Sequence, residues 1–222
     1  MPTESIAAPP AAGAAPETRE KRELGPRAQK TRERLLEALG ELLSERSVRE
    51  VSVVDVARRA GTSPATFYQY FSDVAEAILA LAERAADEMP AVSEITHGSW
   101  AGAEGLDRAR QLVEAFLDHW DEYRAVLRVR NLAADEGDER FLAVRMRASA
   151  PVMKGIVQAI RAGQKAGRVD PQIVPRAAAA ALGAVLERLA AYHRELELGG
   201  VSRADLVETT SRLLLQAIRG HV

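Results

Sequence analysis

Several residue types that support particular chemistries are missing or scarce in this 222-residue sequence. It has no cysteine, which excludes disulfides, thiol nucleophiles and cysteine-based metal sites. Aromatic residues make up only 5% of the chain, and no apolar run approaches the roughly 18 residues that a membrane-spanning helix needs. The Ala/Pro-rich start contains an acidic residue and no leucine-rich core, unlike a secretory signal. We therefore expect a cytoplasmic protein with no membrane segment.

Motifs for catalysis or metal binding are also lacking. No serine lies in a G-x-S-x-G turn, and no metal-ligand spacing links the four histidines, His97, His119, His193 and His221. Asp118 and His119 are neighbours on a predicted helix, so their side chains point about 100° apart and do not form a general-base dyad. Glu187 is most simply part of a solvated helix face. The sequence predicts neither an enzyme nor a metal or cofactor site.

The composition that remains suits a sizeable folded core. Hydrophobic residues make up 47% of the chain and charged residues 28%, which fits one compact unit or two closely packed domains. The net charge of −2 does not indicate a nucleic-acid partner, but the charge is unevenly distributed. Between Arg19 and Arg34 there are seven basic residues and three glutamates. A basic segment of this kind supplies phosphate contacts if a DNA-binding motif lies beside it, and is otherwise a solvated charge run.

The most informative stretch is Ser52 to Phe71, SVVDVARRAGTSPATFYQYF. Ser52 and Asp55 form a capping box that predicts a helix starting at Val53. Gly61 ends this helix, because glycine accepts the left-handed backbone conformation that commonly closes a helix. Ser63 caps a second helix, whose first position suits Pro64. Two helices this short need a third helix against them, which the leucines after Pro26 predict.

This arrangement fits a helix-turn-helix, in which the second helix enters the DNA major groove. Short or amide side chains on that helix suit base edges, and tyrosine hydroxyls suit phosphate oxygens. Further phosphate contacts are expected near the start of the leucine-rich helix. The generic pattern equally allows a helical hairpin whose aromatic residues are only core. The predicted DNA-binding residues are Arg27, Lys30, Ser52, Ser63, Ala65, Thr66, Tyr68, Gln69 and Tyr70.

The stretch VSVVDVARRAGTSPATFYQYF resembles the DNA-binding signature of the tetracycline-repressor (TetR) family of bacterial regulators. The resemblance is close over Lys30 to Val74 and looser over the rest of the chain. One position departs, because Ser72-Asp73-Val74 lacks the phosphate-binding lysine that often begins the following helix in that family. Phosphate contacts are therefore expected to depend more on the basic segment between Arg19 and Arg34.

The pattern predicts an all-α fold of about nine helices. Residues 1–25 are low in complexity and predict a flexible tail, residues 26–72 form the three-helix DNA-binding domain, and residues 73–222 form a ligand-binding and dimerisation domain. Within the body we expect a fourth helix, capped by Ser72, over residues 73–89, a loop over 90–105, and a helix break near Asp121. Long helices should follow over residues 138–166, with a kink or split at Pro151, and over 175–198.

The last helix, capped by Ser202, carries apolar residues on two sides and so needs two partners. One is the body, and the resemblance implies that the other is a second copy packed across the last two helices. Such a homodimer would place two recognition helices on one face and so bind a palindromic operator.

The resemblance also implies a cavity within the body for a small-molecule effector. Large or adaptable side chains with one polar partner suit such a site. A Met or aromatic residue at helical spacing is, taken singly, more often core than pocket. The predicted ligand-binding residues are Phe116, Trp120, Leu127, Asn131, Met146, Met153 and Tyr192.

The function expected from these observations is that of a DNA-binding transcription regulator, most simply a repressor released by a small apolar molecule. Two alternatives remain at this stage. One is an architectural protein that binds DNA without sequence preference, and the other is a small-molecule-binding protein with a vestigial helix-turn-helix.

Overall fold

A computed structural model describes residues 25–220, and this part of the chain is all-helical. It contains eight α-helices and one 3-10 helix, Val48–Glu50. No helix in this range is long and apolar enough to cross a membrane. The predicted flexible tail lies outside the described residues, except for Gly25. The α-helices are α1 Pro26–Glu45, α2 Val53–Arg59, α3 Pro64–Tyr70, α4 Val74–Glu94, α5 Gly102–Asp135, α6 Glu139–Lys165, α7 Pro175–Leu198 and α8 Arg203–Arg219.

The first three helices form the predicted helix-turn-helix. α1 buries a stripe of leucines, Leu35, Leu36, Leu39, Leu42 and Leu43. It packs against α2, which packs against α3, and Phe67 of α3 is fully buried beneath them. Burying an apolar side chain of this size contributes about 1.5–3 kcal/mol, which short isolated helices cannot obtain alone.

The five remaining helices form the body. α4 lies along α6 and also contacts α1, so it joins the helix-turn-helix to the body. α5 crosses the middle of the body and packs against α4, α6, α7 and α8. Gly155 on α6 allows the connection between α4 and α5 to pack closely, because any side chain there would collide with the hydroxyl group of Thr96. One continuous apolar core runs from Leu35 in α1 to Ile218 in α8.

Two predicted boundaries of α4 are wrong. The cap is Asp73, whose carboxylate accepts the N–H of Glu76 at 2.7 Å, whereas Ser72 only donates its own N–H to the Glu76 carboxylate. The helix also continues through Pro90 to Glu94. Proline removes one helix hydrogen bond, but Met89 and Ser93 on either side of it are buried, and this tertiary burial keeps the helix intact.

The predicted break near Asp121 is also absent, since α5 is one helix of 34 residues. No glycine or proline occurs between Leu106 and Asp135, and the preceding Trp120 is buried. Asp121 accepts a hydrogen bond from Arg194 at 2.7 Å and also pairs with Arg203, so its charge links α5 to α7 and α8. α6 likewise remains one helix across Pro151.

Candidate nucleic-acid interface and ligand cavity

The geometry of the helix-turn-helix follows from its caps, as predicted. Ser52 Oγ accepts the N–H of Asp55, and the Asp55 carboxylate accepts the N–H of Ser52, each at 3.2 Å. At the other end of α2, Gly61 has a φ of 64°, and the N–H of Thr62 reaches back to the carbonyl of Ala57 at 2.9 Å. These bonds satisfy the free backbone groups at both helix ends and fix the direction in which α3 leaves the turn.

α3 presents one face to the core and the opposite face to solvent. Ser63 caps the start of α3, because its Oγ accepts the N–H of Thr66 at 3.2 Å. The exposed side chains Ala65, Tyr68 and Gln69 follow the i, i+3, i+4 spacing of one helix face, and Tyr68 is 59% exposed. This face is the one able to enter a groove of DNA.

Two of the predicted DNA-binding side chains are less accessible. Thr66 is half-buried, and its Oγ1 lies 3.0 Å from the Oγ of Ser63. Tyr70 is half-buried and packs against the apolar core. Gln69 and Tyr68 are therefore better placed for base and phosphate contacts than Thr66 and Tyr70.

The start of α1 supplies two exposed cations, Arg27 and Lys30. Neither forms an ion pair with a carboxylate within residues 25–220. The cap residue of α1, Gly25, has no side chain to accept a backbone N–H, so this helix end carries the partial positive charge of unsatisfied N–H groups. The two cations and the partial charge of the helix end all favour binding of a phosphate group.

α2 is tied to α1 by an ion-pair cluster that the sequence analysis did not predict. Arg59 donates hydrogen bonds to Glu41 at 3.0 Å and to both carboxylate oxygens of Glu45 at 2.9 and 2.8 Å. The hydrogen bond from Arg59 lowers the pKa of Glu45, and the same pairing raises the pKa of Arg59. Arg59 is 14 residues from Glu45 and 18 residues from Glu41 in the sequence, so helix periodicity alone could not predict these ion pairs.

The body contains a cavity of about 1120 Å³ lined by α4, α5, α6 and α7. Buried apolar side chains form much of its wall, including Met89 from α4 and Phe116, Trp120 and Leu127 from α5. Its volume slightly exceeds the roughly 300–1,000 Å³ that is usual for small-molecule sites. The cavity thus has the size and the mainly apolar lining of a ligand site.

Six of the seven predicted ligand-binding residues line this cavity: Phe116, Trp120, Leu127, Asn131, Met146 and Met153. Met146 is 62% exposed and so belongs to the rim. Tyr192 does not line the cavity, because its ring lies on the exposed side of α7 beneath the guanidinium of Arg188, 3.7 Å from the ring centroid. Its position is two turns beyond Ala184 and Gly183, where α7 forms the cavity wall.

A half-buried ion pair that lines the cavity was not predicted from the sequence. Arg130 is only 4% exposed and donates a hydrogen bond to Glu187 at 3.0 Å. Asn131 Oδ1 accepts two hydrogen bonds from Arg130, and Asn131 Nδ2 donates to Glu187 at 3.2 Å. Burial lowers the pKa of Arg130, while Glu187 opposes that shift. Glu187, expected on a solvated face, is 39% exposed at its side chain, but its pairing with Arg130 was not predicted.

The neighbouring residues His119 and Asp118 contact different partners. His119 lines the cavity, and its Nδ1 lies 3.9 Å from the carboxylate of Glu88. Burial lowers the pKa of His119, which favours the neutral imidazole at pH 7. Asp118 instead pairs with Arg203. Within residues 25–220 no cluster of His, Asp or Glu could hold a metal ion.

Comparison with known proteins gives matches over both parts of the chain. Residues 35–84 match the family model "Bacterial regulatory proteins, tetR family", and residues 92–221 match "Tetracyclin repressor-like, C-terminal domain". A curated relative, the uncharacterized HTH-type transcriptional regulator YvdT of Bacillus subtilis, is 41% identical over 51 residues. That match spans 23% of this chain and about a quarter (26%) of YvdT.

Solved structures of similar fold cover nearly the whole chain. The fatty acid degradation regulator FadR of Bacillus halodurans superposes with a TM-score of 0.64 at 16% identity, over 90% of this chain and 100% of FadR. FadR of Bacillus subtilis, solved in complex with stearoyl-CoA, gives a TM-score of 0.62 at 14% identity, over 86% of this chain and 99% of that one. At these identities the likeness concerns the fold.

Proposed function

Because this chain belongs to the TetR family of bacterial regulatory proteins, we propose that it is a ligand-responsive repressor that binds a palindromic operator as a homodimer. A small, largely apolar molecule bound in the body cavity releases it from DNA. The observation that carries this proposal is that one helix, α4, forms part of the cavity wall and also contacts the helix-turn-helix. The proposed units are the DNA-binding residues 26–72 and the ligand-binding and dimerisation residues 73–222.

α4 supplies the coupling between the two sites. Met89 of α4 lines the cavity, and Arg84, little more than one turn earlier, pairs with Glu33 of α1. Glu88 of α4 accepts a hydrogen bond from the hydroxyl group of Tyr123 in α5, so this part of α4 is also held by the body. A ligand that fits the cavity better when α4 is displaced would move α1 and the recognition helix with it.

The displacement acts as a population shift between a DNA-binding and a released form. Two recognition helices must be roughly 34 Å apart to enter successive major-groove turns. The ligand shifts the equilibrium only by its difference in affinity for the two forms. Contacts with Met89 are the means by which that difference arises in this protein.

The dimer is proposed to form through α7 and α8. These two helices expose apolar side chains that a single chain leaves uncovered, among them Val185 at 52% and Leu213 at 60% exposure. Leu213 and Ala217 lie on an exposed side of α8, about 100° around the helix from its buried residues Leu214 and Ile218. Two copies packed on these faces would bury them around a two-fold axis.

The dimer is tested by light scattering of the purified protein. Leu213→Glu places a charge in the proposed interface and should give monomers that no longer bind operator DNA. Leu132→Glu is the matched control, because Leu132 is also exposed but lies on α5. A Leu213→Glu protein that stays dimeric would place the interface elsewhere.

The DNA-binding assignment is tested by selecting operators from random DNA and comparing variants on them. Gln69→Ala should relax preference at one position by about 1–3 kcal/mol, whereas Lys30→Ala should weaken all sequences alike and lower the salt slope by about 1. Thr66→Ala is less diagnostic, because the Thr66 hydroxyl also contacts Ser63. Lys165→Ala, at the far end of α6, is the control that should change nothing. If Gln69 and Thr66 both prove silent, they do not read bases.

A further inference from the structure

The mouth of the cavity carries three cations without partners. Lys154 and Arg161 of α6 and Arg176 of α7 line the cavity and are exposed. None of the three forms an ion pair within residues 25–220. By contrast, Arg145, which also lines the cavity, is paired with Asp135 at 2.7 Å. Most arginines of the body are paired in this way, whereas these three unpaired cations all line one cavity.

A fourth cation lies deeper in the same cavity. Arg130 is buried and uses its Nε and Nη2 atoms for Asn131 and Glu187, which leaves Nη1 without a hydrogen-bond partner in the described range. Glu187 is the single carboxylate of the described residues that lines the cavity. The lining therefore holds five cations, counting Arg145, and one anion.

The three mouth cations are placed to act together. Lys154 and Arg161 are seven residues apart, so they lie on one side of α6, about 10 Å apart along its axis. Arg176 lies in the first turn of α7, which packs against α6. The cap residue of α7, Val174, makes no side-chain cap hydrogen bond, so the partial positive charge at the start of α7 adds to that of the side chains.

The cavity thus offers both an apolar and a basic surface. Phe116, Trp120 and Leu127 form a buried wall contributed by α5, and the free cations all come from α6 and α7. A purely apolar ligand would use only the first surface, and a cationic ligand would be repelled by the second. A molecule with an apolar chain and an anionic end uses both.

We propose that the effector is an anionic amphiphile, with its hydrocarbon part against Phe116, Trp120 and Leu127 and its carboxylate or phosphate at Lys154, Arg161 and Arg176. This inference rests on the proposed role of the cavity as the effector site. It adds a chemical class to that role and assigns the three cations as the residues that select it.

Binding is measured through the fluorescence of Trp120, which lines the cavity. The chain has one other tryptophan, Trp100, so Trp100→Phe leaves a single reporter. The probes share a twelve-carbon chain and differ in the head group: dodecanoate, dodecyl phosphate, dodecanol and dodecyltrimethylammonium. We expect at least one anionic probe to bind about tenfold more tightly than dodecanol, and the cation most weakly. The ratio of dodecanoate to dodecyl phosphate affinity identifies which anion the mouth prefers.

Substitutions of the mouth cations test whether these residues cause the preference for anionic probes. Lys154→Gln, Arg161→Gln and Arg176→Gln should each weaken the anionic probe by about two- to fivefold, the range expected for exposed ion pairs, and leave dodecanol binding unchanged. Lys165→Gln is the matched control, because Lys165 is an exposed lysine on α6 that does not line the cavity. The preference should also fall as salt is raised, because exposed charges are screened.

Several results would overturn the inference. They are equal affinity for the anionic and neutral probes, no quenching of Trp120 by either anion, and an anion preference unchanged in all three variants. Operator release is measured in parallel. If dodecanol or another neutral apolar compound releases the protein from DNA while no anion does, the anionic class is wrong and the ligand-responsive function stands. If no compound that binds the cavity releases DNA, the proposed function fails as well.

Discussion

Two glycines of the DNA-binding module provide a test of why its turn has the shape observed. Gly61 closes α2 with a φ of 64°, while Gly40 lies inside α1 in ordinary helical conformation. A Cβ atom added at either position would meet nothing within 4 Å. The same substitution, glycine to alanine, therefore changes only the backbone preference at each site.

The expected effects have opposite signs. Gly61→Ala forces a side chain into the left-handed region, which costs roughly 1–2 kcal/mol. Gly40→Ala replaces a poor helix former by the best one and should stabilise by about 0.5–1 kcal/mol. The two variants should thus differ by about 2 kcal/mol in free energy of unfolding, although their folded contacts are the same.

The measurement is urea unfolding followed by circular dichroism, at one protein concentration because a dimer's stability depends on it. Gly61→Ala should lower the transition midpoint and weaken operator binding, since α3 is held less firmly. Gly40→Ala should raise the midpoint and leave the operator affinity unchanged. If the two variants shift the midpoint in the same direction, backbone conformation is not what sets the turn.

Three further predictions concern the body. Val157→Trp fills the cavity from α6 and should raise the effector concentration needed for operator release by about tenfold, with operator affinity unchanged in anisotropy titrations. Glu187→Ala leaves buried Arg130 uncompensated and should cost about 1–3 kcal/mol in urea unfolding, whereas Glu187→Gln keeps an oxygen acceptor and should cost less. Hydrogen bonds from Arg110 and Arg212 lower the pKa of Glu208 from 4.5 to about 2, so its stabilising effect should be complete above about pH 4.5 and disappear as the pH falls towards 2. A difference between the native protein and Glu208→Gln that is unchanged over this pH range would contradict that account.

The helix-turn-helix was predictable because the boundaries of its helices are set by residues close to them in the sequence. The capping box of Ser52 and Asp55 and the left-handed Gly61 act within a few residues of their own positions. The start of α7 at Pro175 and the cap of α8 at Ser202 were predictable for the same reason. Local backbone chemistry decided these ends, and no distant contact overrode it.

The errors occurred where distant contacts decide the structure. Pro90 predicted the end of α4, but burial of its neighbours against the body keeps the helix intact. Glu187 was expected on a solvated face, and its pairing with Arg130, 57 positions away, was not predicted. The three mouth cations were not predicted as a group either, because Arg176 lines the same cavity as Lys154 and Arg161 only when α7 packs against α6. Helix periodicity specifies a face and does not specify which face of another helix it meets.

The most direct test of the central claim is fluorescence anisotropy of the purified full chain on DNA from upstream of its own gene, titrated with salt and with excess random competitor. We predict binding that survives the competitor, saturates at an even number of chains and weakens steeply with salt, and that is reversed by a ligand of the body cavity. Binding that random DNA removes in proportion to its concentration, on this DNA and on sequences selected from a random pool, would contradict a specific regulator and favour an architectural DNA-binding protein.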